Sequence, residues 1–190
     1  LQTRWFAYNG FGVLAPDFPG HSLSKGPPCV TIEDSGKWLA DFLDAMGVRE
    51  AHVVGHSQGF LSALELSKLK PTALTSLIGV GTAAAIPVNP MLIETAERSP
   101  MKAADLMLQW GFGHQTQMGV SATPGMQPIA IGRQIMGNNP LAVDLQCCAD
   151  YCGGVDAVGL VTAPSAMILA GQDKMTPIKA GLAVADQLQA

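Results

Sequence analysis

Residues 51–60, AHVVGHSQGF, contain the segment on which the fold prediction rests. A short apolar run typical of a β-strand leads into Gly55-His56-Ser57-Gln58-Gly59, after which apolar residues recur at helical spacing. This is the G-x-S-x-G pattern in a strand–turn–helix setting. A strand that turns directly into a helix holds the residue at the bend in a strained conformation. We therefore predict that Ser57 stands at the bend with its hydroxyl exposed as a nucleophile.

The residues around Ser57 also have predicted roles. Gly55 and Gly59 lack the Cβ atoms that would collide where the strand and the helix cross. The backbone N–H of Gln58, at the positive end of the helix, is predicted to stabilise an oxyanion formed when Ser57 attacks a carbonyl group. His56 is predicted to point away from Ser57. Because a chain with 21 glycines can form this pattern by chance, a purely structural turn is the alternative interpretation.

The composition predicts one soluble domain. The chain has 190 residues, a formal charge of −4 and a pI near 5.4. This charge, with scattered Lys and Arg, argues against nucleic acid or an anionic membrane as a partner. No apolar run reaches the roughly 18 residues that span a bilayer. The expected location is the cytoplasm, and the sequence indicates no oligomeric state.

The four cysteines are predicted to be small buried hydrophobic residues rather than a metal or redox site. They lack paired C-x-x-C spacing and neighbouring histidines, and they favour a reducing compartment. Cys148 and Cys152 are one helical turn apart, which suits one buried face. The full set is Cys29, Cys147, Cys148 and Cys152.

Upstream of this segment, the sequence predicts a helix, a strand and a second helix. Residues 2–9 have the pattern of a helix end, with a C-terminal stop signal. The apolar run 11–15 predicts a strand that is covered on both faces in a parallel sheet. Thr31 with Asp34 resembles a capping box, and an apolar helical stripe follows as far as Gly47.

Downstream, residues 74–80 predict another strand, so the strand–helix–strand order predicts a parallel α/β sheet. Residues 87–152 contain no convincing strand, several Pro and Gly breaks and six of the nine methionines. Helical pieces such as 100–110 predict an inserted lid over the site. A last strand is predicted at 165–170, and Thr176-Pro177 is predicted to cap the final helix. The predicted fold class is α/β, a mostly parallel sheet flanked by helices.

Four motifs resemble those of the α/β-hydrolase fold family, in its serine esterase-like branch, over nearly the whole chain. Residues 15–24 resemble the loop after the family's fourth strand, and residues 55–59 resemble its nucleophile elbow. Gly171-Gln172-Asp173 resembles the acid loop after the seventh strand. Residues 87–152 resemble the lid, which leaves residues 1–86 and 153–190 as the hydrolase core.

The resemblance implies that Ser57 is the nucleophile and Asp173 the acid that orients a catalytic histidine. The family places this histidine after the acid, whereas every histidine here precedes Asp173. We therefore expect that the base, the second oxyanion donor and the first strands lie outside the 190 residues, which alone would not fold stably. Structural or pocket-lining roles are preferred for the histidines present. They are His21, His52, His56 and His114.

The chemistry that the resemblance implies is two-step acyl transfer without a metal or organic cofactor. A carboxylic ester is the default substrate, and Met107, Trp110 and Phe112 are predicted to line an apolar pocket. Ordinary core packing of the methionines is the alternative. C–C bond hydrolase, lactonase, thioesterase, perhydrolase and lyase chemistry remain open on the same residues. A catalytically inactive hydrolase fold that binds a ligand is a second hypothesis, from another functional class.

Overall fold

The computed structural model describes residues 2–121, 123 and 125–188. Within these residues a parallel sheet has the strand order β1–β2–β3, and helices flank it. The predicted α/β class with a parallel sheet is confirmed. The strands are β1 (Ala51–His56), β2 (Leu74–Val80) and β3 (Ser165–Ile168). The helices are α1 (Gln2–Tyr8), α2 (Ile32–Ala45), α3 (Gln58–Leu69), α4 (Pro90–Arg98), α5 (Pro100–Gly111), α6 (His114–Gln117), α7 (Pro128–Gly137), α8 (Leu141–Asp150), α9 (Gly154–Gly159) and α10 (Ile178–Gln187).

The main core lies between α3 and the sheet. Phe60, Leu61 and Leu64 of α3 and Leu77 of β2 are completely buried. Each such side chain contributes about 1.5–3 kcal/mol through burial of apolar surface. Helix α2 packs on α3 and adds Ile32, which is 1% exposed. This packing fixes the start of α3, and therefore the position of Ser57, against the sheet.

The predicted strand at residues 11–15 is absent, and this prediction was wrong. These residues have no regular secondary structure, and the Phe11 side chain is half exposed. A strand is stabilised by hydrogen bonds with a neighbouring strand, and no described strand pairs with this segment. Its one aromatic contact with the sheet is between Phe11 and His52 of β1, whose ring centroids are 6.5 Å apart.

Residues 87–152, which we call the helical segment, lie between β2 and α9 and contain helices α4 to α8. Their described residues contain no strand, as predicted. The segment has a small core of its own, in which Leu92, Ala103 and Ala104 are at most 1% exposed. That the segment acts as a lid stays a prediction. In the described part of the chain, no helix has both the length and the apolar character needed to cross a membrane.

Two helix caps have different outcomes. Thr31 caps α2 as predicted, because its hydroxyl accepts a hydrogen bond of 3.0 Å from the Asp34 N–H. Thr176 does not cap α10. Pro177 immediately precedes that helix, and the Thr176 hydroxyl is turned towards Gly81 and Asp173 instead. The final strand also ends at residue 168 rather than 170.

The cysteine prediction is confirmed for two of the four residues. Cys147 and Cys148 are buried in α8, where desolvation raises the pKa of the Cys147 thiol to about 11 and that of the Cys148 thiol to about 12. Cys29 is partly buried. Cys152 is exposed, so the predicted shared buried face with Cys148 was wrong. The reason is that α8 ends at Asp150, before the helical turn that would bring Cys152 inwards.

Candidate active site

Ser57 lies at the bend between β1 and α3, in the strained conformation that the sequence predicts. Its φ of 51° places a non-glycine residue in the left-handed region. Two contacts with β2 and the residues just after it hold Ser57 there. The Ser57 N–H donates to the Val80 carbonyl oxygen at 3.0 Å, and the hydroxyl of buried Thr82 donates to the Ser57 carbonyl oxygen at 3.0 Å. Both partners belong to β2 or the residues just after it, so the neighbouring strand maintains the bend.

The two glycines of the motif differ in their steric role. A Cβ atom on Gly55 would lie 2.5 Å from both Cα and N of Phe60, so no side chain fits where β1 passes under α3. A Cβ atom on Gly59 would meet nothing within 4 Å. The predicted steric need is therefore correct for Gly55 and wrong for Gly59. The Gly59 backbone lies near Gly55, but a side chain on Gly59 would point into open space.

Gln58 is the first residue of α3. The first backbone N–H groups of a helix have no acceptor within that helix, and they carry its positive dipole. The Gln58 N–H therefore lies beside Ser57 and carries the partial positive charge that suits a hydrogen-bond donor to an anion. Its role as an oxyanion donor stays a prediction.

Asp173 lies in the loop after β3, with its carboxylate held by three neighbouring groups. Oδ1 accepts hydrogen bonds from the backbone N–H of Met175 at 2.8 Å and of Thr176 at 3.1 Å. The Thr176 hydroxyl lies 2.8 Å from Oδ2, and it lies equally close to the carbonyl oxygen of Gly81. Because Thr176 is only 5% exposed, this hydroxyl is a fixed link between the acid loop and the end of β2.

His56, at the carboxyl end of β1, faces the same acid. Its Nε2 atom and Oδ2 of Asp173 each lie 3.6 Å from the position that a Cβ atom on Gly81 would take. The His56 side chain keeps solvent contact, yet enough protein surrounds the ring for desolvation to lower its pKa below 6.5, an effect that the negative Asp173 partly opposes. Both side chains therefore approach Gly81, which has a φ of 49°.

The predicted pocket residues divide into two groups. Met107 and Trp110 pack in the core of the helical segment together with Met175 of the acid loop. The backbone supports this contact, since the Lys174 N–H donates to the Trp110 carbonyl oxygen at 2.9 Å. Phe112 is partly buried at the end of α5 and does not belong to that cluster. The structure thus brings Met107 and Trp110, but not Phe112, to the loop that carries Asp173.

The family profile described as alpha/beta hydrolase fold matches residues 3–120. The chain belongs to the α/β-hydrolase fold family. Ser57, Gln58 and His56 lie within the matched range, whereas Asp173 lies beyond it.

The chain is similar to three proteins that are named as hydrolases or as a lactonase. It is 34% identical over 95 residues to a 2-hydroxy-6-oxo-6-phenylhexa-2,4-dienoate hydrolase of Burkholderia cepacia, over 47% of the chain and 32% of the relative. It is 27% identical over 187 residues to a 2-hydroxy-6-oxononadienedioate/2-hydroxy-6-oxononatrienedioate hydrolase of Dechloromonas aromatica, over 91% of the chain and 64% of the relative. The solved enol-lactonase of Burkholderia xenovorans superposes with a TM-score of 0.78 at 20% identity, over 91% of the chain and 67% of that structure. The chain spans less than two thirds of the length of these curated relatives.

The other histidines of this α/β-hydrolase lie at three separate places. His52, exposed on β1, is 2.8 Å from the Ser76 hydroxyl on β2. His114 is exposed in α6, and its backbone N–H donates to the Gln172 side chain at 3.3 Å. His21 is paired with Asp144 of the helical segment at 3.0 Å. None of these three imidazoles is hydrogen-bonded to Asp173 within the residues described.

Sequence reasoning missed three residues that shape the site. Thr82 holds the Ser57 carbonyl, Thr176 holds Asp173, and Asp144 pairs with His21. The spacing of Asp173 and Thr176 could have revealed one of them, because an aspartate commonly accepts hydrogen bonds from groups two and three residues later. Thr82 and Asp144 act through contacts between distant parts of the chain, and no local sequence pattern predicts such contacts.

A surface depression of about 540 Å³ lies elsewhere, at the amino ends of the strands. Its lining includes Asp44, Arg49, Lys70 and Thr72. In a parallel sheet these ends are opposite the carboxyl ends that carry His56, Gly81 and Asp173. The depression is therefore separate from the candidate active site.

Proposed function

We propose that this α/β-hydrolase is a serine hydrolase that cleaves ester-like bonds through an acyl-enzyme on Ser57. One observation carries the proposal. Ser57 is strained at the carboxyl end of β1 and followed directly by a helix N-terminus, and a carboxylate held by three donors lies at the carboxyl end of the same sheet. A strained serine beside backbone donors is the arrangement used for nucleophilic acyl transfer.

The proposed reaction has two steps. The Ser57 hydroxyl attacks the substrate carbonyl, and the backbone N–H of Gln58 donates to the oxyanion that forms. The alcohol leaves with a proton, and water then releases the acid from the acyl-enzyme. A serine hydroxyl needs a base at neutral pH, and the resemblance assigns this role to a histidine oriented by Asp173 and placed after it in the chain. The proposed chemistry uses no metal or organic cofactor.

We further propose that the helical segment is a lid that supplies the substrate pocket. Its contacts with the acid loop support this, because Trp110 accepts a backbone hydrogen bond from Lys174 and packs with Met175. Met107 and Trp110 offer an adaptable apolar wall. Phe112 lies one residue beyond α5 and would line the pocket only at its edge. An apolar acyl or aromatic group is the substrate part that these residues suit.

Hydrolysis of a C–C bond is a second candidate function. It is favoured by the two curated relatives, both of which are named as hydrolases of 2-hydroxy-6-oxo acids with conjugated double bonds. Such substrates present a ketone to the same nucleophile. The two chemistries differ in their products. Both release a carboxylic acid, but the second product of an ester is an alcohol, whereas the second product of C–C hydrolysis carries a new C–H bond. Comparing the turnover rates of a dienoate of this class and of a p-nitrophenyl ester of similar size would therefore distinguish the two chemistries.

The first experiment is intact-mass spectrometry before and after treatment with a fluorophosphonate probe. The expected result is one adduct on Ser57 in the wild type and none in Ser57→Ala. Steady-state rates on the ester and the dienoate then assign the substrate class. A folded wild-type protein that neither labels nor turns over either substrate would contradict the proposal and support an inactive, ligand-binding hydrolase fold.

A further inference from the structure

The acid loop is attached to the helical segment on both sides of Asp173. On the amino side, Oε1 of Gln172 accepts a hydrogen bond of 3.3 Å from the His114 N–H. On the carboxyl side, the Lys174 N–H donates to the Trp110 carbonyl oxygen at 2.9 Å. Both partners lie where α5 ends and α6 begins. One short stretch of the helical segment therefore holds both chain neighbours of the aspartate.

This α5–α6 junction fits the Gln172 side chain closely. A Cβ atom on Gly113 would overlap Oε1 of Gln172 and would lie 3.4 Å from its Cδ atom. The Gln172 side chain thus occupies the space that a side chain at position 113 would fill. The junction is itself fixed, because the Gln117 side-chain amide donates to the carbonyl oxygens of Gln109 and Phe112, each at 2.8 Å. Gln172 therefore meets a partner whose shape is already set.

Met175 attaches the acid loop to the core of the helical segment. Its side chain packs against the small core that contains Leu92 and Ala103. Its Cγ atom lies 3.9 Å from the position that a Cβ atom on Gly111 of α5 would take, which is an ordinary van der Waals distance. The backbone N–H of Met175 donates to Oδ1 of Asp173 at 2.8 Å. One residue therefore joins the apolar core of the helical segment to the carboxylate.

We propose that Met175 and Gln172 are positioning residues through which the helical segment sets the orientation of Asp173. The other carboxylate oxygen, Oδ2, lies beside the Thr176 hydroxyl, which also contacts the end of β2. The carboxylate is thus held between the sheet and the helical segment. The catalytic part of the inference rests on the proposed function of Ser57 and Asp173. The positional part, that the helical segment holds the acid loop, depends on the fold alone.

The first test compares Met175→Ala with Met136→Ala in steady-state kinetics on a p-nitrophenyl ester. Both methionines are partly buried against the same small core, but Met136 belongs to α7 and not to the acid loop. We expect Met175→Ala to lower kcat about tenfold with KM changed less than about threefold, because a displaced acid acts on the chemical step. Met136→Ala should leave kcat within about twofold of the wild type. Met175→Leu keeps an apolar side chain of similar size and should stay within about threefold.

A second measurement does not depend on activity. Amide hydrogen exchange, followed by NMR, reports how firmly the Lys174 N–H is held against Trp110. Met175→Ala should raise this exchange rate about tenfold, and Met136→Ala should leave it within about twofold. An unchanged Lys174 exchange rate in Met175→Ala, or equal losses of kcat in the two alanine variants, would overturn the role of Met175. If Ser57 neither labels nor reacts in the wild type, the proposed function fails on its own, and Lys174 exchange alone decides whether the loop is held.

The role of Gln172 is tested by a double-mutant cycle that leaves Met175 in place. Gly113→Ala should push the Gln172 side chain away and lower kcat about threefold. In a Gln172→Ala background the same substitution finds the space empty, and it should change kcat by less than about 1.5-fold. Gly111→Ala is the control, because its Cβ makes only an ordinary contact, and it should leave kcat within about 1.5-fold. Equal losses from Gly113→Ala in both backgrounds would show that Gln172 does not hold the acid loop. This cycle tests the attachment even where Met175→Ala does not fold.

Discussion

The Thr176 hydroxyl joins Asp173 to the end of β2: it lies 2.8 Å from Oδ2 of the aspartate and 2.8 Å from the carbonyl oxygen of Gly81. Its single hydrogen can serve one of these acceptors at a time. The same residue donates its backbone N–H to Oδ1. Thr176 therefore fixes the orientation of the carboxylate that is proposed to act as the catalytic acid.

Thr176→Val should lower the rate of fluorophosphonate labelling about tenfold. The substitution keeps the shape and the backbone N–H but removes the hydroxyl, and a hydrogen bond to a charged group is worth about 1.5–3 kcal/mol. Labelling is followed by intact mass over time. Thr176→Ser retains the hydroxyl and should label within about threefold of the wild type. Equal rates in the two variants would show that the hydroxyl does not orient Asp173.

Gly55→Ala and Gly59→Ala should have opposite effects on the free energy of unfolding. The alanine Cβ at position 55 would press on the Phe60 backbone, and overpacking of this kind costs about 1–3 kcal/mol. At position 59 the Cβ enters open space within α3, so the better helix propensity of alanine should stabilise the protein by about 0.5–1 kcal/mol. Urea unfolding followed by circular dichroism measures both. A destabilised Gly59→Ala protein would contradict the proposed difference between the two glycines.

Tyr151→Phe should destabilise the fold by about 1–3 kcal/mol, because it removes a donor from the buried carboxylate of Glu65. Lys68 also contacts that carboxylate, at 2.8 Å, and limits the loss. Tyr8→Phe is the matched control, since Tyr8 is 92% exposed and should be neutral. Denaturant midpoints of the two variants provide the comparison. Equal midpoints would mean that the hydrogen bond from Tyr151 to Glu65 does not stabilise the fold.

The His21–Asp144 pair predicts a pH dependence of stability. Burial lowers the pKa of His21, but the hydrogen bonds to Asp144 and Pro19 and the charges of Asp144 and Asp17 outweigh it, so the pKa is raised above 6.5. The folded state then binds this proton more tightly than the unfolded state does. The stabilisation is complete below pH 6.5 and is lost as the pH rises through the raised pKa.

The measurement is the free energy of unfolding of the wild type and of His21→Gln between pH 6 and pH 9. The difference between the two proteins should shrink as the pH rises. His56 contributes the opposite slope, because desolvation lowers its pKa, but it is present in both proteins and cancels from the difference. A difference that does not change with pH would show that His21 is not held as a cation.

Local patterns were sufficient for most elements of the fold. The segment 51–60 predicted a strand, a bend at Ser57 and a helix, because the change from strand to helical periodicity and the flanking glycines act within a few residues. Thr31 was recognised as a helix cap for the same reason, since its acceptor and donor are three residues apart. Residues 11–15 show the limit of such patterns. An apolar run is compatible with a strand, but only a hydrogen-bonded neighbour makes it one.

The sequence by itself determined the order of the candidate groups along the chain, which is a serine at a strand-to-helix bend followed by an aspartate after a later strand. The tertiary structure decided how these groups are held. Thr82 supports Ser57, Thr176 is a partner of Asp173 rather than a helix cap, and Asp144 of the helical segment pairs with His21. The physical reason is that a bend or a cap depends on neighbours in sequence, whereas the orientation of a side chain depends on donors and acceptors that folding brings together from distant segments.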